Sequence, residues 1–130
     1  MLLGFAWLFL AAIVVQVYFA GLMLFGHEAG RDLHEGSGYI LGTAAVLFAA
    51  LPALARTGAR TVVLGVVLAL IIFFQPNLTF SRDQLPLVAA FHPVNAFAIF
   101  TLSVVMVRRA TQLVRGQRAP PPGATAMTPI

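Results

Sequence analysis

Four apolar runs separated by short polar breaks organise the chain. The first, Leu2 to Phe25, is interrupted only by Gln16 and Tyr18 and is close to the roughly 20 residues that cross a bilayer as a helix. A polar loop, Gly26 to Asp32, leads into a second run from Leu33 to Ala55. Arg56-Thr57-Gly58-Ala59-Arg60 then makes a tight basic turn. The third run, Thr61 to Gln75, is short and can continue irregularly through Pro76 to Phe80. After the loop containing Ser81-Arg82-Asp83-Gln84, Pro86 suits the first turn of a fourth helix, which runs to Val107 and stops at Arg108-Arg109. The pattern predicts an all-α integral membrane protein, an up-down-up-down four-helix bundle over residues 1–109. Residues 110–130 form a cytoplasmic tail, expected to be disordered from Ala119 onward because Pro120-Pro121-Pro122-Gly123 brings no apolar periodicity. A cleaved leader competes for the first run. That run is long, lacks a basic start and is followed by no clear small-x-small site, which favours a retained span. No internal repeat is strong enough to argue from; each half merely places a histidine near the outer end of its even-numbered span.

Composition supports the membrane class: 60% of the 130 residues are hydrophobic and 9% charged, against about a quarter charged in soluble domains. With no cysteine, disulfides, thiolate metal sites and cysteine nucleophiles are excluded. The basic residues are all arginine, and they mark membrane edges rather than a nucleic-acid surface. Arg56, Arg60, Arg108, Arg109, Arg115 and Arg118 fall on one side. Arg31 and Arg82 share the other with all four acids, Glu28, Asp32, Glu35 and Asp83. The positive-inside rule then puts both termini in the cytoplasm and the first and third loops outside, as expected of a multi-pass protein of a prokaryotic inner membrane.

The polar residues inside the apolar runs carry the candidate chemistry, because polar side chains at hydrocarbon depth are costly. His34 opens the second span, and Phe91-His92-Pro93-Val94-Asn95-Ala96 interrupts the fourth. Both spans run from outside to inside, so the two histidines belong to the outer leaflet on diagonally opposed helices. Across that diagonal, roughly 11–14 Å for neighbouring axes about 8–10 Å apart, two imidazoles can hold a flat metallocycle. Gly38 and Gly42, continued by Ala45 and Ala49, leave one face nearly bare below His34; the same stripe also suits ordinary close helix packing. Pro93 must kink or restart the fourth helix and frees the Ala89 carbonyl, for which Asn95, Gln16 or His92 is a candidate partner. Gln16 is placed either to fix helix register or to orient a liganding histidine. Arg31, Arg82 and Tyr39 stand at the outer surface. His27, Glu28, Asp32, His34 and Glu35 offer an alternative outward cluster for Zn²⁺ or Cu²⁺, although a solvated acidic loop explains them as simply. No phosphate-cradling loop, nucleophile triad or intramembrane carboxylate pair is present, so catalysis by side chains alone is not expected.

Gln16-Val17-Tyr18-Phe19-Ala20-Gly21, Asp32-Leu33-His34 with Gly38, Leu70 to Pro76, and above all His92-Pro93-Val94-Asn95-Ala96 followed by Arg108-Arg109 resemble a family of small prokaryotic four-span membrane proteins of unknown function. More loosely, the arrangement is similar to the four-helix core of transmembrane b-type cytochromes. That resemblance implies haem b with His34 and His92 as axial ligands and with Arg31 and Arg82 near its propionates. One histidine pair in one leaflet serves a single haem, and that haem cannot carry electrons across the membrane alone. Two functions follow as expectations: a haem b electron-transfer subunit, or a cofactor-free accessory or assembly subunit. In the second, the small-residue faces bind helices of a larger membrane complex or of a homo-oligomer.

Overall fold

The computed structural model describes residues 1–80 and 82–118. Its helices are α1 (Leu2–Leu24), α2 (Gly30–Leu54), α3 (Ala59–Phe80), the single turn α4 (Pro86–Ala89) and α5 (Phe91–Arg118). Four spans, with α4 and α5 forming one of them, are long and apolar enough to cross a membrane. The all-α four-helix membrane bundle expected from the hydropathy pattern is thereby observed. Two boundaries differ. The third helix stays regular through Pro76, whose missing N–H breaks one rung but not the helix. The fourth continues beyond Arg109 to Arg118, with Ala110 buried, so residues 110–118 extend the bundle rather than beginning a tail; residues 119–130 lie outside the described residues.

Each long helix packs against two others, α1 on α2, α2 on α3, α3 on α5 and α5 on α1. This is a square in which α1 faces α3, and α2 faces α5, across a diagonal. Exchanging the hairpin α1–α2 with the hairpin α3–α5 maps this square onto itself, and the buried positions follow the exchange. Counted 59 residues on, Ala6, Phe9 and Ile13 of α1 become Gly65, Leu68 and Ile72 of α3, all buried. Counted 58 residues on, Ala45, Phe48 and Pro52 of α2 become Ser103, Met106 and Ala110 of α5, again all buried. The bundle is thus two equivalent hairpins around a pseudo-two-fold axis parallel to the helices, the arrangement of parallel repeats about a membrane normal.

The apolar core sits in the middle and at the arginine-rich end. There the rings of Phe5 and Phe9 pack on Phe48 with centroids 4.8 and 4.7 Å away. Outward faces carry exposed apolar side chains such as Leu47, Val63, Phe73 and Phe97, as expected where lipid replaces water as solvent. The α2–α3 connection is tight, with positive φ at Arg56 and Gly58. Interior hydroxyls bond backbone carbonyls four residues back: Ser103 Oγ donates to the Ile99 carbonyl at 2.8 Å. Buried Thr61 donates to the Thr57 carbonyl at 3.3 Å and accepts from Arg109 Nε at 3.2 Å.

Gly65 marks the closest approach of α2 and α3, since a Cβ there would overlap the Phe48 carbonyl. Gly65→Ala is therefore expected to lower stability by about 1–3 kcal/mol, the usual cost of overpacking. Gly42→Ala, where a Cβ meets nothing within 4 Å, should be neutral or slightly stabilising. Unfolding midpoints in a sodium dodecyl sulfate titration check both, and equal midpoints for the two variants would remove this contact from the packing scheme.

Candidate functional site

The end of each hairpin away from the arginine-rich end is closed by the same polar clasp. In the first, Gln16 of α1 donates from Nε2 to the His34 carbonyl at 2.7 Å, and His34 Nδ1 lies 3.3 Å from the Gln16 carbonyl. The carboxamide oxygen of Gln16 accepts from Ser37, whose single proton is shared with the Leu33 carbonyl. In the second hairpin, Gln75 of α3 donates to the His92 carbonyl at 3.0 Å, and His92 Nδ1 lies 3.1 Å from the Gln75 carbonyl. Its carboxamide oxygen accepts from Asn95 Nδ2 at 2.5 Å. Asn95 also reaches the Ile71 carbonyl at 2.8 Å, one turn deeper along α3. Residue for residue, Gln75, His92 and Asn95 are the pseudo-two-fold mates of Gln16, His34 and Ser37.

The chemistry of the clasp fixes the histidine tautomers. A carbonyl oxygen can only accept, so each Nδ1 must carry the proton that it donates. In a neutral ring the lone pair then stays on Nε2, which makes no hydrogen bond among the described residues. The two rings converge from diagonal helices, half-buried, with centroids 6.2 Å apart and planes at 65°. The meeting of His34 and His92 expected from helix order is therefore present.

Local sequence explains how the second histidine reaches this place. The fourth span breaks at Ala90, between α4 and α5, which makes His92 the second and Pro93 the third residue of α5. A proline in a first turn loses no helical hydrogen bond. Asn95 consequently serves α3 rather than the Ala89 carbonyl that Pro93 would otherwise orphan. Gly38 also has a role other than opening a bare face: a Cβ there would stand 3.1 Å from Gln16 Nε2, so the glycine makes room for the carboxamide. Gly42 lies in open space.

The remaining candidates lie apart from the clasps. Arg31 pairs with Glu35 at 3.3 Å and Arg82 with Asp83 at 3.8 Å, both exposed, and Tyr39 is exposed. His27 is turned back on its own loop, accepting from the Ala29 N–H at 3.3 Å. Among the described residues no three His, Cys, Asp or Glu side chains converge as a metal group, so the outward cluster of His27, Glu28 and Asp32 with His34 and Glu35 does not assemble. Gln75 and Ser37 are the participants that the sequence reading missed. The available signal was spacing, since Gln75 precedes His92 by 17 residues much as Gln16 precedes His34 by 18. Compared with known proteins, the chain matches no family model, no curated protein and no solved structure.

The two clasps share no hydrogen bond, which gives a double-mutant prediction. Gln16→Leu and Ser37→Ala should couple, the pair costing less than the sum of the singles by about 0.5 kcal/mol or more. Gln16→Leu combined with Asn95→Ala should add. Each single loss should cost about 0.6–1.7 kcal/mol, the range for hydrogen bonds between helices in a membrane. Coupling across the halves as strong as within one would show that the clasps do not act as separate units.

Proposed function

We propose that this is a small multi-pass membrane protein that holds one haem b between His34 and His92, near the outer leaflet of a prokaryotic inner membrane with both termini cytoplasmic. The observation that carries the reading is the ring pair. Two imidazoles sharing one metal ion in line, with metal–nitrogen bonds of about 2 Å and ring centres about 1 Å further back, have centroids about 6 Å apart. The observed separation is 6.2 Å, and both Nε2 atoms keep their lone pairs.

The donor set favours haem over a bare ion. Zn²⁺ takes about four protein or water ligands, and two histidines leave such a site half built. A porphyrin brings four equatorial nitrogens and asks the protein for two axial ligands. Bound haem supplies one-electron chemistry. The chain's own residues bind and orient: His34 and His92 ligate, while Gln16 and Gln75 hold the ligand tautomers from behind, as carbonyl partners commonly do for liganding histidines. Ser37 and Asn95 hold the glutamines. Arg31 and Arg82 occupy the same end, and their exposed ion pairs are worth only about 0–1 kcal/mol each, so exchanging carboxylate partners for propionates costs little.

The test is the absorption spectrum of the protein purified from membranes with haem supplied. A Soret band that is lost in His34→Ala and in His92→Ala, in protein that still shows full helical circular dichroism, is expected. In Gln16→Leu and Gln75→Leu the band should persist, because each histidine Nδ1 bonds the backbone carbonyl of that residue, which the substitution keeps. A colourless wild-type protein that copurifies with a larger membrane complex sinks the haem reading and supports the cofactor-free accessory subunit.

A further inference from the structure

At the arginine-rich end, far from the histidines, a groove of about 350 Å³ opens between α1 and α5. Leu10 and Val104 line its apolar part, Trp7 stands at its side, and Arg108, Gln112 and Arg115 ring its mouth. The arginines are seven residues apart, two turns along one face of α5. Arg109, between them in sequence, turns inward to Thr61.

The pseudo-two-fold axis supplies an internal control. It maps this groove onto the α2–α3 interface, where Val66 stands for Trp7, Ala69 for Leu10, Ala49 for Val107 and Ala50 for Arg108, while α2 ends at Leu54, short of any counterpart to Arg115. That interface is shut, with Gly65 against the Phe48 carbonyl. The second copy of the surface is therefore small and sealed, whereas the first is held open by larger side chains and made basic. Charge says what the open copy takes. All four carboxylate side chains of the chain, Glu28, Asp32, Glu35 and Asp83, belong to the histidine end. Arg108 and Arg115 have none of them within reach, and guanidinium groups at a membrane edge favour phosphate oxygens, which they bind bidentately.

We propose that this groove binds an anionic diacyl phospholipid, its phosphate between Arg108 and Arg115 and its acyl chains along Leu10 and Val104. Trp7, the one tryptophan of the chain, sits against the bound lipid at the interfacial depth that tryptophan prefers.

Trp7 also makes the site readable. Protein in nanodiscs of phosphatidylcholine is titrated with acyl-brominated phosphatidylglycerol or acyl-brominated phosphatidylcholine, and quenching of Trp7 fluorescence is followed. Phosphatidylglycerol should be preferred by a factor on the order of ten, the preference should disappear in Arg108→Gln/Arg115→Gln, and it should survive in Arg56→Gln/Arg60→Gln and in excess inorganic phosphate. Equal quenching of the wild-type protein by the two lipids overturns the proposal and needs no variant to do so. So does a preference that persists without Arg108 and Arg115, one lost equally in the Arg56 and Arg60 variant, which makes it a general surface-charge effect, or one abolished by inorganic phosphate, which makes it a soluble-anion site.

Discussion

A polar side chain between membrane helices has no water to fall back on, and the histidine-bearing half of this bundle is arranged around that constraint. Gln16 and Gln75 each place a carboxamide at hydrocarbon depth, where an unmade hydrogen bond costs several kcal/mol. Each is satisfied at both atoms, Nε2 by the carbonyl of a histidine and Oε1 by the residue three further on. The exchange is reciprocal, since the histidine returns its Nδ1 proton to the glutamine's own carbonyl. Two-point bonding of this kind fixes the register of one helix on another and the rotation of the imidazole at once. Packing alone in a bilayer fixes register weakly, because lipid chains compete for the same apolar contacts.

Because the clasp occurs twice about one axis, a feature at the histidine end of one hairpin is matched at the same depth in the other. This is why two histidines in different halves of the chain face each other, and why their environments match down to the acceptor of the Nδ1 proton. A pair built on such an axis has two equivalent imidazoles without any need to position each separately. The same duplication leaves the rest of the molecule free to diverge. One helix interface is closed by Gly65 against Phe48, while its counterpart between α1 and α5 holds a groove lined by Trp7 and arginines.

Hydropathy made the spans, their order and the diagonal placement of His34 and His92 legible from the chain, because those features depend on apolar run length and alternation of direction. The duplication was not legible. Of the core and clasp positions paired above, only Ile13 with Ile72, Gln16 with Gln75 and His34 with His92 keep the same residue type. What repeats is the inward face and the atoms offered to hydrogen bonds, and Ser37 and Asn95 share a role without sharing a side chain. Gln75 escaped notice because it stands beside Pro76 and reads as the end of a span, whereas α3 continues for another turn. The sequence left Gly38 between open space and close packing for a related reason: a small residue announces that something comes close, and only the coordinates show that it is the Gln16 carboxamide.

The two halves differ where prolines enter. In the second hairpin two of the three clasp residues are followed by one, Gln75 by Pro76 and His92 by Pro93, and the equivalent positions of the first hold Val17 and Glu35. Pro76 weakens α3, where a backbone donor is lost one residue beyond the point of contact, whereas Pro93 stands in the first turn of α5 and costs no helical bond. The second clasp has the stronger supporting residue. Ser37 has one proton, divided between the carboxamide and its own helix, whereas the amide of Asn95 has two and spends both on α3, at Gln75 and at Ile71. The extra bond ties α5 to α3 one turn deeper than Gln75, beside the rung that Pro76 leaves open. A serine there would have to abandon either Gln75 or Ile71, so the second clasp holds both bonds only through the two-proton amide of Asn95.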